Sequence, residues 1–174
     1  MNELYIKLNP YLQEYFICRY NNNVKCDSKS IIGVVVHEFL KYLPKGSTPV
    51  FERGDCFLNV TIGHTTDKVN TRGNIFISSI DQQKICRLLN VHFKESFFTY
   101  MDGYVAGNGM KIGVLNNAML SFCEMNMITY NRINFELLTK SYYRHRLRKS
   151  NSNIFVKNNQ KTLPNIVRPI LTAS

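Results

Sequence analysis

The longest periodic segment of the chain begins at Ser79. Ile80, Ile85, Leu88, Leu89, Phe93 and Phe97 recur at helical spacing to about Tyr104, where Gly103, Gly107 and Gly109 break the pattern. A helix of that length has one long apolar stripe to bury, and the rest of the chain has to supply the cover. Two further helices follow it. One is expected from about Ile112 to Asn126, with Val114, Leu115, Ala118, Phe122 and Met125 inward. The other is expected from Asn134 to Lys149, with Asn134 as its cap and Glu136 in its first turn. The link between them is longer than the three or four residues of a helix-turn-helix.

The N-terminal half reads differently. Leu4, Ile6 and Leu8 alternate with polar residues and predict a short half-buried strand. Asn9-Pro10 marks a helix start, with Tyr11, Leu12, Tyr15 and Phe16 as the apolar stripe and the Asn21–Asn23 run as the stop. Asp27 or Ser28 can cap a second helix through Ile31, Ile32, Val35, Phe39, Leu40 and Leu43, ending at Pro44, although its β-branched content also suits a strand. Lys45 to Pro49 is loop chemistry. Phe57 to Ile62 alternates as a strand, and Ile75 to Ile77 is expected to return against it as a hairpin across a polar loop at 64–74. The expected fold class is therefore α+β, a small antiparallel sheet of three or four strands packed with about five helices. Residues 1–149 form one domain that ends in the basic helix 134–149, and residues 150–174 form a flexible or extended basic tail.

Charge says most about function. The chain holds 22 basic and 12 acidic residues, and Glu136 is its last acid. From Lys140 onward there are 8 cations and no anion, which leaves 14 basic against 12 acidic residues in 1–139. Such asymmetry is a statement about partners. Within the last helix Phe135, Leu138 and Tyr142 share a face that would pack inward, while Lys140, Arg144 and Arg148 lie four apart in a row. Arg146 and Lys149 flank the row, and Tyr143 and His145 project nearby. Like charges at this spacing gain nothing from one another. A polyanion repays them, because each Lys or Arg on a phosphate releases condensed counterions. The fork of Arg also matches phosphate and guanine edges, and aromatic rings between arginines can stack on bases. The candidate nucleic-acid-binding residues are Lys140, Tyr143, Arg144, Arg146, Arg148 and Lys149. A solvated cationic helix end is the plain alternative.

The run FELLTKSYYRHRLRK, with the preceding AMLSFCEMNMI, is similar to the ends of small phage and mobile-element proteins of Bacteroidetes-type bacteria, which close in a Leu-x-Lys-x-Tyr-x-Arg-x-Arg helix. The similarity covers the last third of the chain, with a fainter echo in the first 45 residues. It implies a mobile-element origin and no particular activity.

Other constellations fall short. The glycines at 103, 107, 109 and 113 with Lys111 match neither Walker A nor G-x-G-x-x-G spacing. His37-Glu38 lacks the second His of a zincin, and the histidines at 37, 64, 92 and 145 share no ligand spacing. The cysteines at 18, 26, 56, 86 and 123 form no C-x-x-C pair and read as small buried hydrophobes. No catalytic residue, metal or cofactor is expected. Tyr142 and Tyr143 beside arginines suggest strand cleavage, but no acidic or His pair upstream supports it. No signal peptide or stretch of about 18 apolar residues is present, so a cytoplasmic protein, or a virion component, without membrane contact is expected. The leading expectation is a non-enzymatic nucleic-acid-binding protein, DNA favoured over RNA. A structural or interaction protein with an acidic partner or self-association comes second, and a strand-processing enzyme third.

Overall fold

The computed structural model describes residues 2–21, 23–26, 29–42, 57–62 and 75–161. The protein is α+β with a small sheet. Two compact units divide it, Met1–Phe135 and Glu136–Ser174.

Strand β1 (Asn2–Lys7) buries Leu4 and Ile6 on alternate positions and pairs antiparallel with β4 (Phe57–Ile62). A second partner occupies the other edge of β4. This is β2 (Asn23–Cys26), which runs parallel to it, giving the order β1–β4–β2. Val60 sits between Leu4 on one side and Val24 on the other, and all three are buried. Parallel strands need a long crossover, and helix α2 (Ile31–Phe39) lies in it.

The expected hairpin of 57–62 with 75–77 is not formed. With both edges of β4 taken, β5 (Ile75–Phe76) pairs antiparallel with β3 (Lys41–Tyr42). That pairing also shortens α2, which ends at Phe39 with Leu40 extended, five residues before the expected stop at Pro44. Its cap is Ser30, whose hydroxyl accepts the Gly33 N–H at 2.9 Å, rather than Asp27 or Ser28. Helix α1 (Pro10–Tyr20) starts and stops where expected, and Asn21 at φ 63° turns the chain into β2. The loops expected at 45–49 and 64–74 lie outside the described residues.

Helix α3 (Ser79–Asn108) is 30 residues, about 45 Å long. It runs past the expected end at Tyr104, because Gly103 and Gly107 remain helical and only Gly109, at φ 71°, closes it. Its buried positions are Asp81, Ile85, Leu89, Phe93, Phe97 and Met101, one every fourth residue. Four residues turn a helix by about 400°, so the stripe rotates by about 40° per step and about 200° over its length. One end therefore faces β3 and α2, where Lys84 lies 5.7 Å from the Phe39 ring. The other end faces α1 and α4 (Val114–Met125). There Phe122 of α4 meets Phe97 at 5.0 Å, Tyr100 at 5.5 Å, Phe93 at 5.9 Å and Tyr15 of α1 at 6.4 Å. These are tilted, edge-on and offset geometries favoured by ring quadrupoles. Ile80 and Leu88, expected in the stripe, are 66% and 46% exposed because it rotates away from them. On α4, Met119 and Cys123 turn inward, Leu115 is half-buried, and Met125, expected inward, is exposed.

Asp81 is the charged exception in the stripe. It is buried and accepts from Lys41 of β3 at 2.5 Å, Ser78 at 2.6 Å and Lys84 at 3.1 Å. The Ser78 hydroxyl also caps α3 by accepting the Asp81 N–H. Among the described cysteines, Cys26 and Cys123 are buried and Cys18 and Cys86 half-buried, all as free thiols. Burial, then the charges of Glu14 and Glu124, push the Cys123 thiol up to about 11, so it is a poor nucleophile at neutral pH. Among the described residues no helix is long and apolar enough to cross a membrane.

Two outcomes follow from these contacts. Phe122→Ala removes the ring that four others share and should cost about 3–5 kcal/mol, read as a lower urea midpoint at unchanged slope. The hydrogen bonds from Lys41, Ser78 and Lys84 hold the Asp81 carboxyl well below its ordinary 3.8. A depressed folded-state value means the stabilisation is present above the unfolded value and is lost as pH falls through the folded one. Thermal melts should thus lose stability below about pH 4, and Asp81→Asn should flatten that part of the profile while lowering stability at neutral pH.

Candidate nucleic-acid interface

Helix α5 (Arg132–Lys161) carries every candidate residue. Its start is built from side-chain hydrogen bonds within the first unit. Ile128 is buried and its N–H returns to the Cys123 carbonyl at 2.9 Å, with Met127 at φ 51° making the turn. Glu14 of α1 then grips Thr129 twice, accepting its N–H at 2.8 Å and its hydroxyl at 2.6 Å. Asn134 was expected to cap the helix, but Asn131 does so, with Oδ1 accepting the Asn134 N–H at 2.8 Å. Asn134 is buried one turn further in, and its Nδ2 donates to the Thr129 carbonyl at 2.8 Å. Fixing Thr129 therefore sets where α5 begins.

The helix does not stop at Lys149. It continues to Lys161, so the first twelve residues of the expected tail are helical. No Gly or Pro interrupts the chain between Arg132 and Lys161, and adding a turn to an existing helix is cheap compared with nucleating one. Residues 162–174 lie outside the described residues.

Leu138 and Tyr142 are buried, at 3% and 2% exposure, as their spacing requires. Phe135 is half-buried, its ring 5.4 Å from that of Tyr130. The candidate cations are all exposed, but they do not share one face. At about 100° per residue, Lys140, Arg144 and Arg148 fall about 200°, 240° and 280° round from Leu138, on the opposite side. Arg146 and Lys149 fall at about 80° and 20°, on the side of Leu138 and Tyr142. Tyr143, at about 140°, is 64% exposed and borders the row. His145 stacks on Tyr142, with ring centroids 6.1 Å apart. The structure thus gathers Lys140, Arg144 and Arg148 in one line, with steps of about 6 Å. It leaves Arg146 and Lys149 across the helix from them.

Lys140 meets Glu136 at 3.4 Å, an exposed i,i+4 pair worth a few tenths of a kcal/mol. Beyond Glu136 the sequence holds no acid to balance the row. Leu137 and Leu147 are 49% and 47% exposed within the same sector. Attention to the inner stripe alone misses them, although a 3–4–3 spacing through Leu137, Lys140, Arg144 and Leu147 marks the outer one. Among the described residues no group of three or more His, Cys, Asp or Glu side chains gathers in a metal-holding cluster.

Asn131→Ala should cost about 1 kcal/mol and raise amide exchange in the first turn of α5, whereas Asn134→Ala should also release the link at Thr129. Hydrogen exchange resolved to residues 128–138 distinguishes the two.

No protein family, curated protein or solved structure matches this chain.

Proposed function

We propose that the protein binds nucleic acid, duplex DNA before RNA, through the outer face of α5, and that it serves a phage or mobile element without catalysing a reaction. The observation that supports this reading is the row Lys140, Arg144 and Arg148, opposite the buried Leu138 and Tyr142 on a long helix with no acid after Glu136. A helix of about 45 Å spans more than one turn of duplex and carries its cations at a fixed spacing. Tyr143 offers a ring at the border of the row, where it can stack on an unpaired base. Affinity from such a surface is chiefly electrostatic and falls with salt.

A second reading rests on Leu137 and Leu147. Phosphates have no use for exposed leucines, so an acidic protein partner, or a place in a virion, accounts for them better.

The two sides of the helix provide the test. In electrophoretic shifts with duplex DNA, single-stranded DNA and RNA across a salt series, Lys140→Ala/Arg144→Ala/Arg148→Ala should make the slope of log K against log salt less negative by about 2.7. Arg146→Ala/Lys149→Ala should change it less. Equal binding by the row variant and the wild type would sink the reading. Loss of a protein partner on Leu147→Ser, with nucleic-acid binding unchanged, would favour the second.

A further inference from the structure

A cleft of about 650 Å³ opens in the first unit between α1, α3 and α4. Its lining combines two charges of opposite sign, Arg19 and Glu95, with the rings of Tyr100 and Phe122. Arg19 is held in place. Its guanidinium lies over the Tyr15 ring at 4.5 Å, and Nη2 donates to Oδ1 of Asn126 at 3.5 Å. Asn126 is itself buried and fixed by its Nδ2 on the Phe122 carbonyl at 2.8 Å. That commits one of the five guanidinium N–H groups and leaves the others for a ligand. Glu95 lines the same cleft, yet among the described residues it makes no ion pair with Arg19 or any other cation. Opposite charges that share a cleft without meeting leave a gap that a two-ended molecule can bridge. Around them His92 and Thr99 carry polar groups with no hydrogen-bond partner among the described residues.

We propose that this cleft binds a small molecule with an anionic group at one end, a planar apolar body, and a hydrogen-bond donor at the other. The phosphate or carboxylate sits on the outward N–H groups of Arg19, where the bond is charge-assisted. The planar body lies against the half-buried Tyr100 ring, with only the margin of the buried Phe122 reaching the lining. An amine or amino group faces Glu95. Nucleoside monophosphates with an exocyclic amine and aminoaryl carboxylates share this chemistry.

Amide chemical-shift titrations of the full chain test it, with adenosine monophosphate and 4-aminobenzoate as separate probes and inorganic phosphate as a control. Saturable shifts are expected in residues 92–100 and 122–126 with at least one organic probe. Tighter binding of the first would identify the nucleotide source and tighter binding of the second the aminoaryl carboxylate source. Arg19→Gln should weaken the bound probe roughly tenfold, the loss of one charge-assisted contact. Thr99→Trp, which fills the cleft from an exposed position, should abolish binding while leaving the melting curve unchanged. The proposal is overturned if neither probe saturates below about 10 mM. It is equally overturned if phosphate alone reproduces the shifts, if the shifts fall only in residues 137–149, or if both variants bind like the wild type.

Discussion

Everything in the first unit leans on the burial of one group of rings. Phe122 stands among Tyr15, Phe93, Phe97 and Tyr100, contributed by three helices, and with Phe93 it joins α1, α3 and α4. Each large ring removes more apolar surface from water than an aliphatic side chain of the same position would, and the tilted geometry adds to that. The small sheet is too slight to organise the unit by itself. Its three strands are held by the row Leu4–Val60–Val24, and α3 brings its own N-terminal half to β1 and α2. The four-residue step of α3 is what lets one helix serve both ends. A stripe that kept to a single side would reach the sheet or the ring cluster, but not both.

The same step explains which parts of the fold are legible in the sequence. Helices α1, α3 and α4 announce themselves through apolar periodicity, and β1 and β4 through alternation. Ile85, Leu89, Phe93 and Phe97 are legible as core because they fit a helix and a four-step stripe equally. Ile80 and Leu88 fit only the first, so periodicity places them inside while the rotation carries them out. Strand β2 is not legible at all. Four residues that begin on the last Asn of a run show too little alternation, and its existence depends on the open edge of β4. The pairing of β5 with β3 likewise depends on an edge already taken, which no local pattern records. Asp81 reads as an ordinary first-turn acid; its burial depends on Lys41 arriving from forty residues away.

At the candidate site, charge is the legible part, since the last 35 residues hold eight cations and no acid. Their grouping is legible only as far as helical geometry is applied residue by residue. That geometry sets Lys140, Arg144 and Arg148 apart from Arg146 and Lys149, which a count of arginines merges. The exposed leucines at 137 and 147 are less legible, because apolar spacing in an amphipathic helix marks its inner face and not its outer one. From sequence Asn134 is the expected cap, but Asn131 takes that place. The choice between them is made by Thr129, whose carbonyl gives the Asn134 amide a better use.

The grip of Glu14 on Thr129 joins residues 115 positions apart. A ribosome releases Glu14 long before Thr129 is made, so α1 waits with one edge undocked until nearly three quarters of the chain has emerged. Only then does the start of α5 acquire its fixed place. The start of the cationic helix is in this sense fixed later than the helix that anchors it. A chain cut short before Thr129 has neither the clamp nor the helix, so nascent fragments carry none of the row Lys140, Arg144 and Arg148.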